Sequence, residues 1–222
     1  MAGTASPVAP NGTPANTVTG DERETSNYRK HTSGNPIQRV LIARFHRAIA
    51  RQVVALEPTS FLDAGCGEGF VARVLLSELP SLSLIGCDLS PAASRLATDK
   101  NPGADFAAAS VLALPFADNA FDVVGCFEVL EHLPDAVPEQ ALRELARIAR
   151  RAVVLSVPHE PCFSLANAAR GKNLDTRPRG SDPDHRQFWS RRAFGSTVAR
   201  TMDVHWLGGS FPWIICVAKP KS

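Results

Sequence analysis

A chain of 222 residues with 44% hydrophobic content suits one globular domain with a sizeable core and room for a tail. A formal net charge of +2 is too small to argue for nucleic acid, and no apolar run reaches the roughly 18 residues of a membrane-spanning helix. The five cysteines are isolated, without a C-x-x-C or a Cys/His cluster at zinc spacing, and no apolar leader opens the chain. That sets aside a disulfide framework, a metal and a secretory signal, and fits reduced thiols in the cytoplasm.

Residues 1–27 are mostly Ala, Gly, Pro, Thr, Asn and Ser, with a charged Asp21-Glu22-Arg23-Glu24 run. Such a stretch cannot build a core and is expected to be a disordered tail, leaving 28–222 as the domain. Asn35-Pro36 opens a helix with Ile37, Leu41, Phe45, Ala48, Ile49 and Val53 on one face and Arg39, Arg44, Arg47 and Arg51 off it. A buried strand, Thr59–Asp63, then runs into Gly65-Cys66-Gly67-Glu68-Gly69 and a helix ending near Leu79. Glycines at such a turn accept positive φ and let a ligand approach the backbone. Alone, the turn reads either as a nucleotide-holding turn or as an ordinary strand–helix junction. Its spacing is G-x-G-x-G, one residue shorter than the dinucleotide G-x-G-x-x-G.

A second strand, Leu82–Asp88, also ends in an acid, and Pro91 starts the next helix, through about Asp99. A short third strand follows at Ala104–Ala108, then a loop over Ser110–Phe116 and a fourth strand, Phe121–Phe127. Beyond Glu128–Asp135, a helix from Pro138 carries the stripe Leu142, Leu145 and Ile148, with Arg150-Arg151 expected at its C-terminal dipole end. The fifth strand is expected at Ala152–Val157, a helix at Leu165–Arg170, and another at Arg191–Arg200 capped by Ser190. Val204–Leu207 and Trp213–Ala218 close the chain as a hairpin. Strand and helix alternate five times before two final strands. The expected fold is therefore α/β: a Rossmann-like, doubly wound, seven-stranded and mostly parallel sheet with one antiparallel strand and helices on both faces.

Ligands of such sheets bind at the carboxyl ends of the strands, where Asp63, Asp88, Ser110 and Glu128 fall. Asp88 can accept both hydroxyls of an adenosine ribose, which fits NAD, FAD or S-adenosylmethionine. Asp63 puts negative potential beside the turn. A pyrophosphate would be repelled there, whereas an ammonium or a sulfonium would be favoured.

Four segments in order, Asp63–Gly69, Cys87-Asp88-Leu89-Ser90, Leu114–Asp122 and Glu128–Asp135, resemble the class I S-adenosylmethionine-dependent methyltransferases, nearest to the type 11, ubiquinone/menaquinone-biosynthesis-like group. The resemblance spans about residues 28–218. It implies that Asp63 and the backbone from Gly65 through Cys66 and Gly67 to Gly69 hold the methionine part of S-adenosylmethionine. Asp88 would take the ribose, with Leu89 against the adenine, Val111 offering an amide to the ring, and Ser110 standing where the family usually carries an acid. Phe127 and Glu128 would line the methyl-transfer side, beneath a cap helix preceded by Tyr28. The segment from about 158 to 192 would determine the acceptor. There His159 and His185 join His132 as polar candidates, and His185 and His132 are the candidate catalytic residues. An imidazole is suited to deprotonating a hydroxyl near neutral pH.

That segment holds seven Arg/Lys against four Asp/Glu, with Phe163, Phe188 and Trp189 among them. It reads as a pocket for an aromatic or lipid-like acceptor with an anionic group, or as a solvated loop. After the fourth strand the chain reads Phe127-Glu128-Val129-Leu130, without the Pro-Pro motif of adenine- or glutamine-modifying enzymes. The expected function is methylation of a small molecule, O-methylation first, by a cytoplasmic enzyme without a metal and with a homodimer open. RNA methylation, or a non-catalytic cofactor-binding partner subunit, are the other readings.

Overall fold

The computed structural model describes residues 34–221, so the 1–27 tail and Tyr28 lie outside the described residues. Asn35 caps α1 (Pro36–Val54), its side-chain oxygen accepting the amides of Ile37 and Gln38 at 2.9 and 3.3 Å. The parallel part of the sheet follows as β1 (Ser60–Ala64), α2 (Phe70–Glu78), β2 (Ser83–Asp88), α3 (Pro91–Lys100), β3 (Asp105–Ala108) and β4 (Phe121–Phe127). A 3-10 turn (Leu130–His132), α4 (Val137–Ile148), β5 (Ala149–Pro158), α5 (Cys162–Ala168), α6 (Arg191–Ala199), β6 (Met202–Ser210) and β7 (Trp213–Pro220) complete the chain.

The strand order is β3-β2-β1-β4-β5-β7-β6. The first five strands are parallel to one another, and β7 runs antiparallel to both β5 and β6. The order reverses between β1 and β4, which opens a crevice at their carboxyl ends. Alternation along the strands divides the interior into two cores. Phe61, Val123 and Val154 face α1 and α2, packing with Phe45, Ile49 and Leu75. Their neighbours Leu62, Val124 and Val153 face α4 and α6, packing with Leu142, Leu145 and Phe194.

Three expectations change. Ile37 is 64% exposed, and Ile42 and Ala50 are buried in α1 instead. Arg150 and Arg151 do not close α4; they sit in β5, which starts three residues before its expected Ala152. Arg150 pairs with Asp122, and Arg151 donates to the carbonyls of Leu56 and Glu57 at 2.8 and 3.3 Å, just past the end of α1. The cation in the last turn of α4 is Arg147. The helix expected at Leu165–Arg170 begins earlier, at Cys162. Among the described residues no helix is long and apolar enough to cross a membrane.

Candidate functional site

The glycine turn is pinned to the end of β2. Gly65 and Cys66 both donate their amides to the Cys87 carbonyl, at 2.7 and 2.9 Å. The Gly67 amide donates to Asp88 Oδ2 at 2.9 Å, and that of Gly69 to the Cys66 carbonyl at 3.0 Å. Gly65, Gly67 and Gly69 all have positive φ, and a Cβ on Gly65 would lie 2.3 Å from Val129 Cγ2. The turn must therefore be glycine where the chain passes closest to the β4 end. An anion-cradling loop aims free amides at its ligand; here four of them are engaged within the chain.

Two carboxyl groups flank this turn. Asp88 accepts Gly67 N through one oxygen and Ser90 N through the other, at 2.8 Å. It does not cap α3; Ser90 does, with its hydroxyl accepting the Ala93 amide at 3.2 Å. Asp63 is 1% exposed, and its Oδ2 has no hydrogen-bond partner among the described residues. Burial, with the Asp88 charge adding to it, pushes Asp63 up to about 7. The Cys66 thiol, buried beside both acids, is also pushed up and stays protonated.

Gly65, Gly67, Asp88, Leu89, Ser110, Val111, Phe127 and Glu128 all line one cavity of about 820 Å³, within the range of small-molecule sites. Asp63 and Cys66 instead line a recess of about 40 Å³, which shares Gly65, Phe127 and Glu128 with that cavity. Leu89 is 78% exposed, leaving its side chain available to a flat ring. The Ser110 hydroxyl accepts the Leu112 amide at 3.2 Å. Gln38, Leu41 and Ile42 of α1 also line the cavity. Glu128 takes positive φ as the chain leaves β4, and its carboxylate accepts Trp213 Nε1 at 2.6 Å and Ser156 Oγ at 3.4 Å. Trp213 was not anticipated from sequence. The signal for it is that an antiparallel strand begins where its parallel neighbours end, so the first residue of β7 reaches the site.

The far end of the cavity is built by the 3-10 turn, α5 and the loop before α6. His132, His185, Phe163, Arg170, Lys172 and Asp182 line it. The His132 and His185 rings are 5.1 Å apart, and His185 packs on Phe163 at 5.4 Å. Asp184 meets His132 rather than its neighbour in sequence: its carbonyl accepts His132 Nδ1 at 3.1 Å. His159 lies outside the cavity lining; its amide donates to the Pro212 carbonyl, and burial, then Arg191, hold its ring below the usual histidine range. Of the seven cations expected around an acceptor, Arg170 and Lys172 line the cavity. Trp189 is in the core against Phe194, and Phe188 is at the surface.

This sheet order, with a cofactor-sized cavity at the β1/β4 reversal, is the fold of class I methyltransferases. It overlays on the structure of magnesium protoporphyrin IX methyltransferase from Synechocystis with bound SAH, at a TM-score of 0.66 and 20% identity, covering 87% of this chain and 92% of that one. Residues 62–157 match the type 11 family described as "Methyltransferase domain". A demethylmenaquinone methyltransferase of Thermus thermophilus is 33% identical over 125 residues, 53% of this chain and 56% of that protein. A 2-methyl-6-phytyl-1,4-hydroquinone methyltransferase of Synechocystis is 34% identical over 102 residues, 45% of this chain and 31% of that protein. The chain thus spans 31% and 56% of the length of these two relatives. The likeness to the type 11 methyltransferases lies in residues 62–157, and the fold is shared over most of the chain.

Proposed function

We propose that the chain transfers the methyl group of S-adenosylmethionine to a small molecule, with an oxygen atom as the leading acceptor. The observation that carries this reading is the glycine turn, four of whose amides are engaged inside the chain beside a buried carboxyl with an oxygen unmatched among the described residues. Such a turn suits a cationic group and not a pyrophosphate. In this reading Asp63 takes the amino-acid ammonium from its recess, and Gly65 lets that end of the ligand lie against the backbone. Asp88, held by two amides, takes the ribose hydroxyls with its remaining lone pairs. Leu89 and Val111 enclose the adenine, with the Ser110 hydroxyl and loop amides at its edge. Phe127 and Glu128 wall the methyl side.

The bound cofactor supplies a methyl group already activated on its sulfonium. The residues of this chain then have to place the acceptor in line and exclude water, and placement of this kind contributes about 7–11 kcal/mol. His132 and His185 put ring nitrogens at the acceptor end, beside a hydroxyl that must lose its proton. The relatives named for hydroquinone and menaquinone substrates, with Phe163, Arg170 and Lys172 on the wall, support an aromatic or lipid-like acceptor with an anionic group.

Titration calorimetry with S-adenosylhomocysteine and, separately, NAD tests the turn; radiolabelled transfer to pooled phenols, quinols and RNA tests the acceptor. One-to-one binding of S-adenosylhomocysteine and label in the small-molecule pool are expected. NAD binding in its place would sink the cofactor reading. Label in RNA would sink the acceptor reading, and cofactor binding with no transfer to any pool would leave a non-catalytic partner subunit.

A further inference from the structure

Glu131, His132 and His185 form a cluster that cofactor binding does not use. One carboxylate oxygen and one ring nitrogen from each histidine all lie within 4.8 Å of one another. The three come from two segments, the 3-10 turn and the loop before α6, and their meeting is fixed by the backbone. The Glu131 carbonyl accepts the amides of Arg186 and Gln187 at 2.7 and 3.0 Å. Gln187 Nε2 donates to the Leu133 carbonyl and to Asp135 Oδ1 at 3.1 and 2.9 Å. These bonds hold the His185 loop against the turn that carries the other two side chains.

The His132 contact adds a chemical constraint. The Asp184 carbonyl can only accept, so the proton of His132 resides on Nδ1, which leaves the Nε2 lone pair to serve as a ligand. Metal-binding histidines are oriented by this kind of outer bond to a carbonyl. Glu131 is 1% exposed, so its side of the cluster is shut off from bulk water. His132 and His185 also line the large cavity, so that side of the cluster is open to a ligand.

We propose that Glu131, His132 and His185 hold one divalent transition-metal ion at the acceptor end of the cavity. One carboxylate and two imidazoles suit Mn²⁺, Fe²⁺, Co²⁺ or Zn²⁺, whereas Ca²⁺ and Mg²⁺ prefer oxygen donors throughout. Three protein ligands leave a coordination position facing the cavity, and an oxygen of the acceptor is the natural occupant. The proposal rests on the methyl-transfer reading only in this last respect, where it narrows the acceptor to a hydroxyl-bearing compound and replaces proton removal by the two imidazoles with ionisation of that hydroxyl on the ion. Sequence spacing did not reveal the set, because His185 reaches it only through the fold.

The test uses the full chain, stripped with EDTA and titrated with Mn²⁺ under electron paramagnetic resonance. One bound ion per chain is expected, with electron spin-echo modulation from imidazole nitrogen. Glu131→Gln and His185→Ala should each weaken Mn²⁺ binding by at least about ten-fold, the lower end of what loss of even an outer partner costs, and leave S-adenosylhomocysteine affinity unchanged. No bound Mn²⁺, or a bound ion without nitrogen modulation, overturns the site, and the wild-type spectrum decides this even if a variant fails to fold. Unchanged Mn²⁺ affinity in folded variants overturns it as well. Titrating S-adenosylhomocysteine into the same samples separates the readings. Cofactor binding without a metal removes only this site, whereas loss of both removes the methyl-transfer reading too.

Discussion

Two carboxyl groups at adjacent strand ends are prepared differently. Asp88 is held by two amides, so it meets a ligand already oriented. Asp88→Ala is expected to weaken S-adenosylhomocysteine binding by about 1.5–3 kcal/mol, the range for hydrogen bonds to a charged group. Calorimetry on the folded variant checks it, and unchanged affinity would refute the ribose role. Asp63 is raised from 3.8 to about 7, so the folded state holds its proton more tightly than the unfolded chain. Folding therefore takes up a proton between those values, and this contribution to stability falls as pH rises from about 4 to about 7. Asp63→Asn should flatten that slope and melt above the wild type at about pH 8, the two converging near pH 4. A ligand ammonium pairs with the ionised form. Binding of S-adenosylhomocysteine should then release a proton in the same window and tighten as pH rises, which calorimetry in buffers of different ionisation enthalpy reads directly. Both acids were legible in the sequence because each ends an apolar strand run. Trp213, which bonds Glu128 across the site, was not, since nothing local to Trp213 points to Glu128.

At the scale of elements, the chain was readable where Pro, Gly or a capping residue punctuates it. Pro36, Pro91 and Ser190 mark helix starts, and those starts are found at or beside them. The errors fall where a distant partner overrides a local signal. Arg150-Arg151 after a helical stripe reads as a dipole-complementing end, but Asp122 and the carbonyls after α1 draw both residues into β5. The glycine turn shows the converse, since its backbone needs are local and visible. Gly65→Ala would place a side chain at φ 81°, with its Cβ 2.3 Å from Val129 Cγ2. It is expected to cost about 1–3 kcal/mol in urea unfolding and to abolish or strongly weaken cofactor binding by moving the turn. Near-wild-type values for both would show that the turn has more freedom than this packing allows.

The whole molecule has two ends of different character. At the carboxyl ends of the strands lie the cavity and its raised or cation-seeking groups. At the other end Asp122, 4% exposed, gathers the starts of β1, β4 and β5: it accepts Thr59 N at 2.9 Å, Thr59 Oγ1 at 2.6 Å and Ser60 N at 3.2 Å, and pairs with Arg150. The Thr59 hydroxyl, with the neighbouring amides and Arg150, holds Asp122 far below the usual carboxylate range. Its stabilising effect is therefore full above the unfolded value near 3.8 and is lost as pH falls through the folded one. Asp122→Asn should destabilise the fold at neutral pH by about 1.5–3 kcal/mol, by a margin that shrinks in strong acid, without altering cofactor affinity. Unfolding curves across pH, set beside calorimetry, check both halves.

The bond between Glu128 and Trp213 joins residues 85 positions apart, one leaving β4 and the other opening β7. During synthesis the glycine turn and both acids emerge well before this partner exists. A ribosome-bound chain that ends before Trp213 would hold most of the cofactor-facing residues but lack one wall of their cavity. Cofactor capture should therefore come late in synthesis, when the final hairpin docks on β5, so that the ligand stabilises the finished sheet and gives little help to its nascent half.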